Sequence, residues 1–149
     1  MTEVKKIMDT KLFHTDDNEI AEAGEILRNG GLVAFPTETV YGLGASAFDS
    51  DAAKKIYDAK GRPSDNPLIV HICDKGQIKD IAEEIPESAK KVIDNFMPGP
   101  VTIILKKKSV VPNDVTAGLD TVAIRFPLHE TAQKLIKAAG VPIAAPSAN

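Results

Sequence analysis

The sequence has 149 residues and a mass of 15.9 kDa, which is the size of a single domain able to bury a core without disulfides or metals. Hydrophobic residues make up 43% and charged residues 26%, and this balance excludes a disordered chain. Every apolar run is shorter than the roughly 20 residues of a membrane span, so we expect none. The single cysteine, Cys73, excludes a disulfide framework within the chain and favours a cytoplasmic protein. The net charge of −3 argues against strong binding of nucleic acid by bulk charge.

Helical and extended patterns alternate along the chain. In chain order we predict a helix from Asp16 or Asp17 to about Asn29, a strand Leu32–Phe35, a helix from Asp49 or Ser50 to about Ala59, a strand Leu68–Cys73, a helix from Pro86 to Phe96, strands Val101–Leu105 and Thr121–Phe126, a helix over 129–139 and an apolar run Val141–Ala145. This order predicts an α/β domain, and the irregular spacing of the strands predicts a mixed sheet.

Polar residues cluster beside prolines near the ends of the apolar runs. The clusters are Pro36–Thr39, Lys60–Pro67, Pro98–Pro100, Arg125–Pro127 and Pro146–Asn149. Any one of them is typical of an ordinary loop, because loops are polar. Five on a short chain favour a ligand site where strands of an α/β sheet end.

Several charged or polar residues have two interpretations. Lys60 and Arg62 are separated by one glycine and would face one pocket in an extended turn, although a lone lysine is more often solvated. Arg125 interrupts an apolar strand and needs an anionic partner, either a protein carboxylate or a ligand. His71 also interrupts a strand and is typical of a core histidine. Gly42 and Gly44 match a dinucleotide-binding pattern only weakly, so we interpret them as allowing tight packing.

Five segments, read together and in order, resemble the YrdC-like family, whose main members are threonylcarbamoyl-AMP synthases. The segments are PTETVYGLG at Pro36–Gly44, KGRPSDNPL at Lys60–Leu68, PGPVT at Pro98–Thr102, VAIRFP at Val122–Pro127 and PIAAPSAN at Pro142–Asn149. The resemblance runs from about residue 12 to the end of the sequence. It implies an α/β fold in which a twisted mixed sheet with flanking helices surrounds a concave basic cavity.

The resemblance also implies an activity. Members of the family act as nucleotidyltransferases that make L-threonylcarbamoyl-adenylate from L-threonine, bicarbonate or CO2, and ATP, and they release pyrophosphate. Mg²⁺ would accompany the ATP, and we expect no protein-bound metal. A downstream tRNA threonylcarbamoyltransferase would use the product to modify the adenosine next to the anticodon. Weak binding of tRNA or double-stranded RNA is a further expectation.

The family motifs assign roles to individual residues. By resemblance, the L-threonine site consists of Thr39, His71, Arg125 and Ser147, with Thr37 as an alternative to Thr39. By the same resemblance, the ATP site consists of Lys60, Arg62, Asn66, Thr121 and Asn149. Lys60 and Arg62 are also the predicted catalytic residues, because their charges would offset those of the phosphates.

The family continues past its S-A-N motif with further strand and helix. We therefore expect residues 1–149 to form one YrdC-like domain that is incomplete at its C-terminus. Two other functions stay open. One is the carbamoyl-adenylate-forming domain of a hydrogenase-maturation protein. Those proteins carry an acylphosphatase-like segment and zinc motifs before this domain, whereas only about 11 residues precede the resemblance here, so this function is disfavoured. The other is an RNA-binding module, which is disfavoured by the net charge.

Overall fold

A mixed β-sheet flanked by helices organises the protein. The computed structural model describes residues 10–61, 63 and 65–148. Its elements in chain order are α1 (Asp17–Arg28), β1 (Val33–Phe35), β2 (Gly42–Ser46), α2 (Ser50–Lys60), β3 (Ile69–His71), a 3-10 turn (Lys75–Gln77), α3 (Ile78–Ile81), α4 (Glu87–Phe96), β4 (Thr102–Lys106), α5 (Asn113–Thr116), β5 (Thr121–Arg125), α6 (Glu130–Ala139) and β6 (Ile143–Ala145). Within those residues no helix is long and apolar enough to cross a bilayer.

The long helices begin and end where their capping residues predict. The Asp16 side chain accepts a hydrogen bond from the backbone N–H of Glu19 at 2.9 Å, and the Asp49 side chain accepts one from Ala52 at 3.0 Å. Gly61 ends α2 in the left-handed region, with φ of +60°, where glycine is favoured. This sharp exit makes Lys60 the last residue of α2.

Three local predictions need correction. Pro86 lies at the N-cap of α4 rather than in its first turn. The spacing of Ala89, Val92, Ile93 and Phe96 predicts a buried apolar stripe on that helix, but Phe96 does not belong to it, since it is 62% exposed. A run as apolar as Leu32–Phe35 is expected to be a buried strand, yet Ala34 is exposed and only Phe35 is fully buried.

Strand β2 was not predicted, because its sequence GLGAS lacks the β-branched residues that favour strands. Its glycines permit close packing instead. A Cβ on Gly44 would lie 2.6 Å from Cγ2 of Ile143 and 2.9 Å from Cε1 of Phe35. The interpretation of tight packing is confirmed, and Gly42 and Gly44 lie within the strand, not in the strand-to-helix turn where dinucleotide binding requires them.

The sheet has the strand order β1-β2-β6-β3-β5-β4 among the described residues. β3 and β5 are parallel, and the other neighbouring pairs are antiparallel, so the predicted mixed sheet is confirmed. One face carries the larger core, which includes Val70, Ile103 and Ile124 from the strands. On the opposite face, α1 and α6 pack over the β1-β2-β6 side of the sheet.

The face of the sheet that α1 and α6 cover remains accessible over β4 and β5. We call this accessible region the open strip. Along β4, alternate residues are exposed, and each lies opposite a partly exposed residue of β5. The open strip consists of the register pairs Thr102–Arg125, Ile104–Ala123 and Lys106–Thr121. Because side chains alternate between the faces of a strand, these six share one side of the sheet. Arg125 stands at one end of this strip.

Candidate functional site

Arg125 is the best-defined charged residue of the candidate site. Its side chain is only 12% exposed and forms an ion pair with Glu38, through Nη2 and Oε1. The same Nη2 donates to Oγ1 of Thr39 at 3.1 Å. The anionic partner that the sequence left open is therefore a protein carboxylate in this structure.

One nitrogen of this guanidinium stays unsatisfied. Nε of Arg125 is buried and has no hydrogen-bond partner among the described residues. Leaving a buried donor of a charged group without an acceptor costs free energy. An incoming carboxylate that supplied this acceptor would remove that cost, which makes Arg125 suited to anion binding despite its pairing with Glu38.

The loop between β1 and β2 places Thr39 in contact with Arg125. Thr37 Oγ1 donates to the carbonyl of Val40 at 2.6 Å and lies 3.1 Å from Thr39 Oγ1. It also accepts the backbone N–H of Thr39 at 3.2 Å. Thr37 thus organises the loop, whereas Thr39 is the threonine in contact with Arg125.

His71 lies beside Arg125 because the two residues are register partners in the parallel strands β3 and β5. Its Nδ1–H donates to the carbonyl of Ile69 at 3.0 Å, and the ring meets Phe35 edge to face, with centroids 5.6 Å apart. Burial is the main cause that lowers the pKa of His71, to about 4, and the charge of Arg125 lowers it further. The hydrogen bond to the Ile69 carbonyl acts in the opposite direction but does not offset burial. His71 is therefore neutral at pH 7, and its buried side chain forms part of the wall of the candidate site.

We expect His71 to make the stability of the protein depend on pH. Its pKa is lower in the folded protein than in the unfolded chain, so the unfolded state takes up the proton first as pH falls below about 6.5. Its contribution to the free energy of unfolding should drop by about 1 kcal/mol from pH 7 to 5.5, and by about 3 kcal/mol by pH 4. Urea unfolding at these pH values measures it.

The matched variant for this prediction is His71→Asn, which does not titrate. It should be less stable than the unaltered protein at pH 7, and the difference between the two should shrink as pH falls. Carboxylates contribute to both proteins and cancel in this comparison. An equal loss of stability in the two proteins from pH 7 to 5.5 would show that His71 is not the titrating group.

A second group of predicted residues meets at the end of α2. Lys60 Nζ donates to the backbone carbonyl of Ser147 at 2.5 Å. Ser147 in turn pairs with Gly42 through an antiparallel bridge just beyond β6. The K-x-R and S-A-N segments, 87 residues apart in sequence, are therefore neighbours in space.

The β1–β2 loop joins the two groups. At one end the carbonyl of Tyr41 accepts the backbone N–H of Ala148 at 2.7 Å, next to Ser147. Two residues earlier, Thr39 contacts Arg125. One short loop and the adjacent strands thus connect five of the predicted site residues: Thr39, Lys60, His71, Arg125 and Ser147.

The remaining predicted residues are less closely associated. Thr121 shares the open strip with Arg125 but lies four residues away along β5, which is roughly 13 Å. Asn66 is exposed in the segment before β3, and its carbonyl accepts the Tyr57 hydroxyl at 3.3 Å. The predictions for Arg62 and Asn149 fall outside the described residues.

Surface clefts elsewhere do not involve the predicted residues. A cleft of about 560 Å³ is lined by Phe48, Asp80, Glu83, Lys108, Ser109 and Val110. A second, of about 470 Å³, is lined by Glu22, Glu25, Ile26, Asn29, Gly31 and Lys55. Both are open grooves that contain none of the side chains of the candidate site.

Comparison with known proteins bears on the fold and on the family of the chain. A family model named Sua5_yciO_yrdC, described as "Telomere recombination", matches residues 25–149. The chain belongs to the Sua5–YciO–YrdC family. This confirms the resemblance derived from the five ordered motifs.

Relatives and solved structures of the family agree with the match. The chain is 58% identical over 141 residues to a threonylcarbamoyl-AMP synthase of Bacillus subtilis, covering 94% of the chain and 41% of that protein. The crystal structure of Sua5 of Pyrococcus abyssi complexed with L-threonine matches with a TM-score of 0.88 and 56% identity, over 90% of the chain and 39% of that structure. The chain thus spans about two fifths of these family members.

A shorter relative is covered to a greater extent. The threonylcarbamoyl-AMP synthase of Cellvibrio japonicus is 32% identical over 127 residues, which cover 85% of the chain and 67% of that protein. The HypF protein of Thermococcus kodakarensis matches with a TM-score of 0.76 at 22% identity, which shows a common fold alone. At this level of identity HypF lends no support to the hydrogenase-maturation alternative.

Proposed function

We propose that this protein functions in L-threonylcarbamoyladenylate synthesis, a reaction that joins L-threonine, bicarbonate or CO2, and ATP, and releases pyrophosphate. The observation that carries the proposal is Arg125, a nearly buried cation with an unsatisfied Nε, in contact with Thr39 and in register with His71. Family relatives carrying the name threonylcarbamoyl-AMP synthase support the same reaction.

Arg125 binds the α-carboxylate of threonine in this proposal. A guanidinium binds a carboxylate through charge-assisted N–H donors, and Nε is a donor that has no partner among the described residues. Thr39 and Ser147 supply polar groups around the amino acid, and neutral His71 closes the wall behind Arg125. The P. abyssi Sua5 complex with L-threonine supports threonine as the ligand.

Lys60 serves the ATP side, together with Arg62, Asn66, Thr121 and Asn149. The Lys60 ammonium lies 2.5 Å from the Ser147 carbonyl, so it is next to a residue of the proposed threonine site. From there its charge can offset that of the phosphates. Mg²⁺ enters with ATP as part of the substrate. Among the described residues, no group of three or more His, Cys, Asp or Glu side chains is placed to hold a metal.

The chemistry needs positioning more than proton transfer. The amine of threonine captures CO2 as a carbamate, and a carbamate oxygen attacks the α-phosphorus of ATP while pyrophosphate leaves. All reactants are anionic or become so, and bringing them together against their repulsion is the main task of the site. Cations from α2 and β5 perform this task, which explains why a Ser-His-Asp type of constellation is not needed.

The product is an unstable mixed anhydride, and it would pass to a tRNA threonylcarbamoyltransferase in the cytoplasm. Direct detection of that product tests the proposal. We expect protein incubated with Mg-ATP, bicarbonate and radiolabelled threonine to form a labelled adenylate and one pyrophosphate per adenylate. Omission of bicarbonate is the control. Pyrophosphate release that does not depend on threonine would contradict the proposal.

A further inference from the structure

Glu38 was not predicted as a site residue, yet it contacts the site on two sides. Its Oε1 accepts from Nη2 of Arg125, and its Oε2 accepts the backbone N–H of Leu128 at 2.5 Å. The side chain is only 19% exposed. Both carboxylate oxygens are therefore engaged, one with β5 and one with the segment that follows it.

These contacts hold the guanidinium by one nitrogen. Glu38 and Thr39 both bind Nη2 of Arg125, whereas Nε is buried without a partner among the described residues. A side chain as long as arginine has several rotatable bonds, and its binding geometry depends on how firmly its head is held. The Glu38 contact fixes the head in the orientation that leaves Nε unsatisfied.

We infer that Glu38 is a positioning residue, which holds Arg125 so that the guanidinium can bind the α-carboxylate of an amino acid. The inference rests on the proposed function, because it takes threonine as the ligand of Arg125. It deepens that function by naming a residue that acts through Arg125 rather than on the substrate.

An opposite role for Glu38 is that of a placeholder, which occupies the ligand's position and leaves when the ligand binds. The contact with Leu128 argues against it. Displacement would leave a largely buried carboxylate without its two partners, Arg125 and the Leu128 N–H, and that loss costs free energy. The two roles also predict opposite results. Removing a positioning residue weakens threonine binding, and removing a placeholder strengthens it.

The test uses Glu38→Ala and Glu38→Gln, with Glu22→Ala as the matched control. Glu22 is a surface glutamate of α1 that pairs with Lys11 at 3.2 Å and belongs to none of the segments of the candidate site. KM for threonine, KM for ATP and kcat are measured for each protein, and threonine binding is measured by calorimetry. Urea unfolding reports whether each variant is folded.

We expect Glu38→Ala to raise KM for threonine at least about tenfold, with KM for ATP changed less than about twofold. Glu38→Gln keeps an oxygen that can accept from Arg125, so it should restore part of the loss. Glu22→Ala should match the unaltered protein. If Glu38→Ala does not fold, the smaller change Glu38→Gln still gives the sign of the effect on threonine.

Three outcomes would overturn the inference. Tighter threonine binding in either variant would identify a placeholder, and equal losses for threonine and ATP would indicate a merely structural residue. Unchanged threonine binding in both folded variants would mean that Arg125 does not need Glu38. If the unaltered protein failed to bind threonine at all, the proposed function would fall, and the inference with it.

Discussion

Replacing Arg125 with alanine is expected to weaken threonine binding about 100-fold while leaving ATP binding within about threefold. The substitution removes a largely buried cation that contacts Thr39 and lies beside His71, and it also leaves the largely buried Glu38 carboxylate without its partner. Truncating one member of a buried hydrogen-bonded charge pair typically costs about 2–5 kcal/mol. Calorimetry with threonine and with ATP measures both affinities.

Arg125→Lys distinguishes charge from geometry in this experiment. Lysine keeps the positive charge but lacks the planar guanidinium that binds Glu38 and Thr39 through Nη2 and presents Nε as a further donor, so we expect only partial recovery of threonine binding. Lys134→Ala is a suitable control, because Lys134 is an exposed cation on α6 that pairs with Asp17 and Glu130. A larger loss for ATP than for threonine in Arg125→Ala would move Arg125 to the nucleotide side.

Replacing Lys60 with alanine is expected to lower threonine-dependent pyrophosphate release at least about 1,000-fold. The ammonium of Lys60 lies next to Ser147, where its charge would offset the growing negative charge on the transferred nucleotide. Electrostatic contacts of this kind are often the largest single contribution to catalysis, because they act in a site shielded from water. Initial rates at saturating threonine and ATP measure the effect on kcat.

Lys54→Ala provides the matched control for Lys60. Lys54 is an exposed lysine of the same helix, so its loss alters net charge equally without touching the site. We expect its rate to equal that of the unaltered protein. The parallel variant Arg62→Ala should behave like Lys60→Ala. Normal turnover in both Lys60→Ala and Arg62→Ala would remove the phosphate-binding role from the K-x-R motif.

The features that sequence predicts well are those determined by neighbours in the chain. Asp16 and Asp49 cap their helices within three residues, and Gly61 ends α2 at the next residue, so these boundaries were predicted closely. β2 was missed because it is held by the sheet rather than by propensity. Gly44 fits there because it has no side chain, and Ile143 and Phe35 leave no room for one.

The site shows the same limit more sharply. Arg125 in an apolar strand demanded an anionic partner, and that much followed from its immediate neighbours. Its partner Glu38 lies 87 residues earlier, and only the fold brings the two together. The contact of Lys60 with Ser147 spans the same separation. Motif order indicated which segments belong to the site, whereas the role of each side chain in it depended on long-range contacts.

The most direct test of the account is a crystal structure of the protein with L-threonine and a non-hydrolysable ATP analogue. We expect the threonine carboxylate to accept a hydrogen bond from Nε of Arg125, with Glu38 still bound to Nη2. We expect the phosphates to lie within reach of Lys60, in the same site. Threonine and nucleotide bound on separate surfaces, or threonine away from Arg125, would contradict it.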